Sequence, residues 1–283
     1  MPSEMTGRIC VVTGANRGIG RATAEGLARM GAKVVLVCRR KEDGAAVSRE
    51  IAAQAQIAPD VVAADLSSQM SIRQAAGYIR GRYSSLHVLI NNAGVIPPRR
   101  EVTVDGLEMQ FAVNHLAYFL LTSLLLPQLK AGSPSRIINI SSGAHAHATL
   151  DLDDLQAQRS YQPKSVYGRS KLANILFTYE LSRRLAGTGV TANCLNPGVV
   201  ATKMLADYMG VPLAGPVLAR TFGATPEEGA ETSIYLASSP EVASITGQYF
   251  ERKERKASSR ASHDEAVARR LWEVSERLTG LSP

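Results

Sequence analysis

The chain has 283 residues, 45% hydrophobic and 20% charged, which excludes a mainly disordered chain and fits one large α/β domain. Lys and Arg outnumber Asp and Glu by 32 to 25, a net charge of +7. A basic balance can signal nucleic acid, an anionic membrane or a site for a phosphorylated cofactor; zinc-finger spacings, aromatic RNA motifs and long basic blocks are all missing.

The first apolar strand follows within about eight residues of the start, so neither a signal peptide nor an N-terminal membrane anchor is expected. "ICVVTG" (9–14) reads as a buried strand, "GIGRATAEGLARMGA" (18–32) as a helix and "KVVLVCR" (33–39) as a second strand. "DVVAADL" (60–66), "LHVLINNAG" (86–94), "RIINISS" (136–142), "VTANCLNPG" (190–198) and "GQYF" (247–250) add five more. The apolar window at 116–129 contains Pro127 and is too short for a spanning segment, so it reads as a buried helix. Apolar strands separated by helices predict a Rossmann-type, doubly wound parallel sheet of about seven strands, with helices on both faces in a single domain. Thr225-Pro226-Glu227-Glu228 carries a cap, a first-turn proline and a capping-box Glu, and Ser262 to Glu265 repeats that pattern before a final helix. In that helix Val267, Leu271, Val274 and Leu278 form one stripe beside Trp272. "ERKERK" (251–256) mixes both signs of charge and reads as a solvated loop.

Cys10, Cys38 and Cys194 each sit inside an apolar run, without metal-ligand spacing. His145 and His147 lack a third ligand, so no metal is expected. Unpaired cysteines fit a reducing compartment, and a cytoplasmic location is expected.

"TGANRGIG" (13–20) joins the first strand to the first helix. Gly14 permits a tight turn, while Gly18 and Gly20 let backbone amides at the helix start approach a pyrophosphate. Downstream, "SVYGRSK" sets Tyr167 and Lys171 on one helical face at i and i+4. A nearby ammonium would lower the pKa of the phenol and make it a usable proton donor near neutral pH. Ser142, at the end of the fifth strand, would hydrogen-bond a carbonyl oxygen.

The spacing Gly-x-x-x-Gly-x-Gly, the Tyr-x-x-x-Lys pair and "NNAG" (91–94) resemble the short-chain dehydrogenase/reductase family. "NHLAYFLLT", "NISSGAHAH", "YGRSKLANILFTYELSRRL", "NPGVVATKM", "TPEEGAETSIYLAS" and "ARRLWEVSERLTGL" resemble its retinol dehydrogenase-like branch, and the likeness runs from about Gly7 to the C-terminus. The resemblance implies a catalytic set of Asn114, Ser142, Tyr167 and Lys171, with Asn114 holding a water that links Lys171 to solvent. It implies cofactor contacts at Gly14, Asn16, Arg17, Gly18, Ile19 and Gly20, at Asp65 and Leu66 near the adenine, and at Asn91, Ala93 and Gly94. It adds Pro197, Gly198, Val200 and Thr202 at the nicotinamide carboxamide, and Tyr167 and Lys171 themselves.

Where an NAD enzyme usually places a carboxylate after the second strand, this chain has Arg39 and Arg40, with Arg17 inside the glycine loop. An arginine fork suits a 2′-phosphate, so NADP(H) is the expected cofactor, with Arg17 and Arg39 as its readers and Arg40 solvated. The branch typically reduces apolar aldehydes, ketones, retinaldehyde or steroids; an apolar carbonyl/alcohol pair is therefore the expected substrate. Segments 143–163 and 203–224 are expected to form the substrate lid, with Tyr161, Met204, Tyr208, Met209 and Phe222 as candidate linings. Neither nucleic acid nor a membrane anchor is expected. A homodimer or homotetramer through the helices holding Asn114 and Tyr167 is the family pattern. The alternative is a non-catalytic NADP(H)-binding sensor or scaffold; an extended-branch epimerase would need a longer C-terminal substrate domain and another glycine spacing.

Overall fold

The computed structural model describes residues 4–55, 57–209 and 223–281. Seven strands, β1 (Ile9–Thr13), β2 (Lys33–Cys38), β3 (Asp60–Ala63), β4 (Val88–Asn91), β5 (Ser135–Ile140), β6 (Val190–Asn196) and β7 (Tyr249–Glu251), run parallel. An eighth, β8 (Glu254–Lys256), closes one edge antiparallel to β7, giving the order β3-β2-β1-β4-β5-β6-β7-β8. The direction of winding reverses between β1 and β4, which opens a crevice beyond their C-terminal ends.

The strand sequences explain the two cores. Successive side chains point to opposite faces. On one face Val11, Val35, Val37, Leu89 and Ile137 pack under α3 (Gln69–Arg82), α4 (Met109–Ala131) and α5 (Pro163–Arg184). On the other, Cys10, Val12, Val34, Leu36, Ile90 and Ile138 pack under α1 (Gly18–Arg29), α2 (Lys41–Ala52) and α7 (Pro226–Ser238). A short helix, α6 (Lys203–Met209), follows β6. Burial raises the thiol pKa of Cys10 and of Cys194 to about 12, so both behave as small apolar groups.

α4 is long and apolar enough to cross a membrane, yet 78% of its most apolar stretch is buried inside the fold. It is a core helix, as expected. Its outer surface and that of α5 are covered by the last helix, α8 (Glu265–Thr279). Trp272 lies 4.8 Å from Phe119 and 5.8 Å from Phe177, with the Arg184 guanidinium 4.2 Å from its ring. Leu271 and Ala268 pack among Leu172, Ala173 and Leu176, and Ser275 hydrogen-bonds His115 at 3.0 Å. A dimer through α4 and α5 would have to displace α8 or use another part of their surface.

Two local expectations need correction. The run "ERKERK" is half of a hairpin, not a loop: Arg252 and Lys253 turn with φ of 49° and 66°, as a two-residue primed turn requires. That turn usually carries Asn-Gly, so its sequence signature is missing; docking replaces it, because Lys253 donates from its backbone to Thr232 and from Nζ to Glu231, both on α7. The cap of α8 is Asp264, which accepts from the Val267 amide at 3.0 Å, whereas Ser262 lies in the preceding 3-10 turn. The capping box at Thr225 and Glu228 is present in full.

Candidate active site

The crevice is built from the C-terminal ends of β1, β4, β5 and β6. At β1, Gly14 and Gly18 take φ of 66° and 54°, conformations that side chains disfavour. A Cβ on Gly20 would lie 2.4 Å from both Asn92 Nδ2 and the Gly14 carbonyl, so only glycine permits that approach. The first turn of α1 has no side-chain cap and no acidic residue. Its amides and dipole therefore face the crevice free to receive an anion, which fits a pyrophosphate. Thr13 and Asn92 hold the loop: the Thr13 hydroxyl accepts from the Asn92 and Ala93 amides, and Asn92 Nδ2 donates to the Thr13 carbonyl at 2.8 Å. Neither residue was singled out in the sequence; the signal was available in the doubled Asn after an apolar strand.

The basic residues differ in their partners. Arg40 is committed to Asp43 by two hydrogen bonds, at 2.9 and 2.7 Å. Asn16 lies beside the same carboxylate. Arg17 and Arg39 are exposed and, among the described residues, have no carboxylate partner. Asp65 accepts from the amide and hydroxyl of Ser67, closing the turn before α3, and Leu66 packs onto the core. Val200 is buried and forms a bridge with Ala224; Thr202 Cγ2 would lie 3.3 Å from a Cβ on Gly18, so the turn after Pro197 and Gly198 closes over the glycine loop, where Ile19 is half-buried.

Asn91 is fully buried, and its side chain faces the core: Nδ2 donates to Thr122 and Asn139. Ala93 offers its carbonyl to the Tyr118 hydroxyl at 2.7 Å. A Cβ on Gly94 would meet Met204 Cε at 3.1 Å, Asn114 Oδ1 at 3.3 Å and Lys171 Nζ at 3.7 Å, which brings three of the expected site elements to one point. Asn114 has its side chain fully used, accepting from the Val95 amide and donating to the Val95 carbonyl and the Ser170 hydroxyl. It therefore fixes the backbone after Gly94. It lies in a π-helical stretch of α4, Ala112–Leu116, where the Ala117 amide reaches back five residues to Ala112. Such a bulge is a local departure from the helical ladder, of the kind that often marks a functional site.

Ser142, Tyr167 and Lys171 converge. The α5 spacing of four residues places Lys171 Nζ 5.5 Å from the centre of the Tyr167 ring and 5.7 Å from that of Tyr118. Lys171 is 2% exposed; its ammonium donates to the Ile140 carbonyl at 3.1 Å, and burial lowers its pKa to about 7. Burial raises the Tyr167 pKa to about 12, opposed by the facing Ser142 hydroxyl. In the protein alone the phenol is thus shifted opposite to the expected acidification, because desolvation is the largest effect on it. An ammonium with three donors and one acceptor has capacity for cofactor hydroxyls, which fits a dinucleotide ribose. The Tyr167 hydroxyl points at Met204 Sδ, 3.7 Å away, and the Tyr208 ring packs edge-on at 5.8 Å. Lys164 Nζ sits 5.0 Å from the centre of the Tyr208 ring. Tyr161 is anchored between Gln110 and the Pro97 carbonyl, and Leu150, Leu152 and Leu155 pack on α4 and α5. Phe222 and the side chain of Met209 lie outside the described residues.

The profile of the short chain dehydrogenase family matches residues 8–209. The chain belongs to the short-chain dehydrogenase family. Human retinol dehydrogenase 14 is 46% identical over 99% of this chain and 88% of its own length, and human retinol dehydrogenase 13 is 46% identical over 99% and 87%. This short-chain dehydrogenase therefore falls in the retinol dehydrogenase-like branch and is a hydride-transferring oxidoreductase of that family. Among solved structures, an uncharacterized Mycobacterium paratuberculosis protein matches with a TM-score of 0.80 and 34% identity, covering 99% of this chain and 96% of that one. Pseudomonas aeruginosa RhlG, solved with NADP, matches with a TM-score of 0.72 and 29% identity over 88% and 96%. Among the described residues no cluster of His, Cys, Asp or Glu could hold a metal.

Proposed function

We propose that this dehydrogenase is NADP(H)-dependent and interconverts an apolar aldehyde or ketone with its alcohol. The observation that carries the reading is the convergence of three side chains: buried Tyr167 beside buried Lys171, with the half-buried Ser142 hydroxyl facing the phenol. Reduced nicotinamide, when bound, supplies the hydride. Ser142 donates a hydrogen bond to the substrate oxygen and holds it toward Tyr167. Tyr167 delivers the proton as the alkoxide forms and, in the reverse direction, accepts it. Lys171 holds its ammonium at the phenol and favours phenolate once Tyr167 has given up its proton. Asn114 keeps the Gly94–Val95 backbone in place beside Lys171.

Arg17 in the glycine loop and Arg39 after β2, neither with a carboxylate partner among the described residues, support NADP(H), because exposed guanidinium groups match a 2′-phosphate and are of no use to a hydroxyl. Met204, Tyr208 and the half-buried apolar groups around Tyr167 support an apolar substrate, in line with the retinol named for its relatives. Segments 143–163 and 203–224 are the proposed cover of that substrate, residues 210–222 lying outside the described residues, and buried, unbridged cysteines support a cytoplasmic location.

The test is NADPH absorbance loss against a panel of apolar aldehydes, ketones and quinones. Tyr167→Phe is expected to lower kcat by at least about a thousandfold, combining the lost proton transfer with misplacement of the oxygen, while NADPH still binds. Unchanged turnover in that variant removes the proposed acid; tight NADPH binding with no turnover on any panel member selects the scaffold reading. Arg39→Asp is expected to lower the preference for NADPH over NADH by about a hundredfold, the value of a lost charge-assisted pair plus new repulsion. Selectivity that survives it refutes the arginine assignment.

A further inference from the structure

His145 stands three residues beyond Ser142, in a short 3-10 turn, and the chemistry above leaves it without a part. It is 4% exposed, and both ring nitrogens have partners. Nε2 lies 3.2 Å from the backbone N–H of Ser259, which can only donate, so Nε2 is an acceptor. Nδ1 lies 2.7 Å from the Ser142 carbonyl, which can only accept, so Nδ1 carries the proton. One neutral tautomer satisfies both bonds, and burial favours that neutral form by lowering the imidazole pKa. The Ser142 carbonyl receives a second bond from the His145 amide at 3.1 Å. Two donors from one residue therefore fix the peptide that carries the Ser142 side chain.

The other end of this clamp belongs to the C-terminal part of the chain. The imidazole packs 5.0 Å from the Tyr249 ring on β7. The Tyr249 hydroxyl donates to Glu251 Oε1 at 2.6 Å, which also accepts from Asn196 Nδ2 at 3.0 Å. Asn196 Oδ1 in turn accepts from the Gly198 amide at 3.2 Å. The ring contact and the hydrogen bonds beyond it thus connect the loop of Ser142, the turn after β6 and the hairpin of β7 and β8.

We infer that His145 is a positioning residue for the Ser142 hydroxyl, acting in its Nδ1–H form, and that the Ser259 amide selects that form. The inference rests on the reading of Ser142 as the donor to the substrate oxygen. Loss of one preorganised donor at a developing oxyanion costs about a hundredfold or more, and loosening such a donor without removing it costs about tenfold.

The experiment is steady-state reduction of octanal by NADPH in wild type and in His145→Ala, His145→Asn, His145→Gln, Ser142→Ala and the Ser142→Ala/His145→Ala double variant, with NADPH affinity and Tm measured for each. His145→Ala and His145→Gln are expected to lower kcat about tenfold, with NADPH affinity changed less than twofold. The amide of Asn can stand where Nδ1 stands and donate to the Ser142 carbonyl, so His145→Asn is expected to keep at least about half of kcat. The double variant is expected to be no slower than Ser142→Ala, because a positioned group that is absent cannot be mispositioned. His145→Asn as impaired as His145→Ala, a double variant slower than Ser142→Ala, or kcat losses that follow Tm would each overturn the positioning role. Wild-type turnover unaffected by Ser142→Ala would instead overturn the assignment of Ser142, and the inference with it.

Discussion

Lys171 is the charged group whose burial costs this fold most visibly, and replacing it by methionine measures that cost. Lys171→Met keeps the length of the side chain and removes the ammonium. The Ile140 carbonyl it leaves still accepts from Asn174 Nδ2 at 3.2 Å, so no acceptor is orphaned. In the unfolded chain the ammonium has its ordinary pKa of 10.5, whereas in the fold it drops to about 7. A base with a depressed folded pKa destabilises the fold fully below that value, and the penalty fades as pH rises toward 10.5. At about 1.4 kcal/mol per tenfold change in proton affinity, the full penalty is roughly 5 kcal/mol, falling to about 2 kcal/mol at pH 9. Urea denaturation of the cofactor-free proteins at pH 6 and pH 9 should therefore show the variant more stable at both, with the gap about 2.5 kcal/mol wider at pH 6. Every other titrating group is shared by the two proteins and cancels in the difference. A gap that is flat across this range refutes the claim that Lys171 is desolvated. The variant is expected to lose turnover as well, so stability and activity should move in opposite directions.

Two further outcomes test the architecture. Gly20→Ala drives a methyl into the Gly14 carbonyl and Asn92, so it should cost about 1–3 kcal/mol in stability and weaken NADPH binding at least about tenfold, read by fluorescence titration. Because α8 packs on α4 and α5, any dimer found by light scattering should leave the exchange protection of that packed surface unchanged, and Trp272→Ala should cost roughly 2–3 kcal/mol, since its ring is only half-buried. A stable dimer whose exchange protection maps to the outer faces of α4 and α5 would contradict that packing.

The parallel sheet was legible because its strands are continuous apolar runs: "KVVLVC" and "ICVVT" need burial on both faces, and only helices on either side provide it. The i, i+4 spacing of Tyr167 and Lys171 and the cap at Thr225 were equally readable, since both depend on local geometry alone. What escaped is what tertiary packing decides. The turn at Arg252 and Lys253 has no sequence signature, because its positive φ values are held by docking onto α7. The inward aim of Asn91 depends on Thr122 and Asn139, 31 and 48 residues away. Burial escaped for the same reason: the spacing sets a lysine four residues from a tyrosine, but it does not report that both are sealed from solvent.

The reversed last strand has a consequence for how these molecules meet one another. Glu254, Arg255 and Lys256 are all exposed, so this rim of the sheet carries one acidic and two basic side chains over a length of only three residues. An incoming strand would find few amides to pair with and would have to strip water from those charged heads first. Open-ended stacking of copies through this rim is thereby discouraged by the same mixed-charge stretch whose sequence reads as a solvated loop.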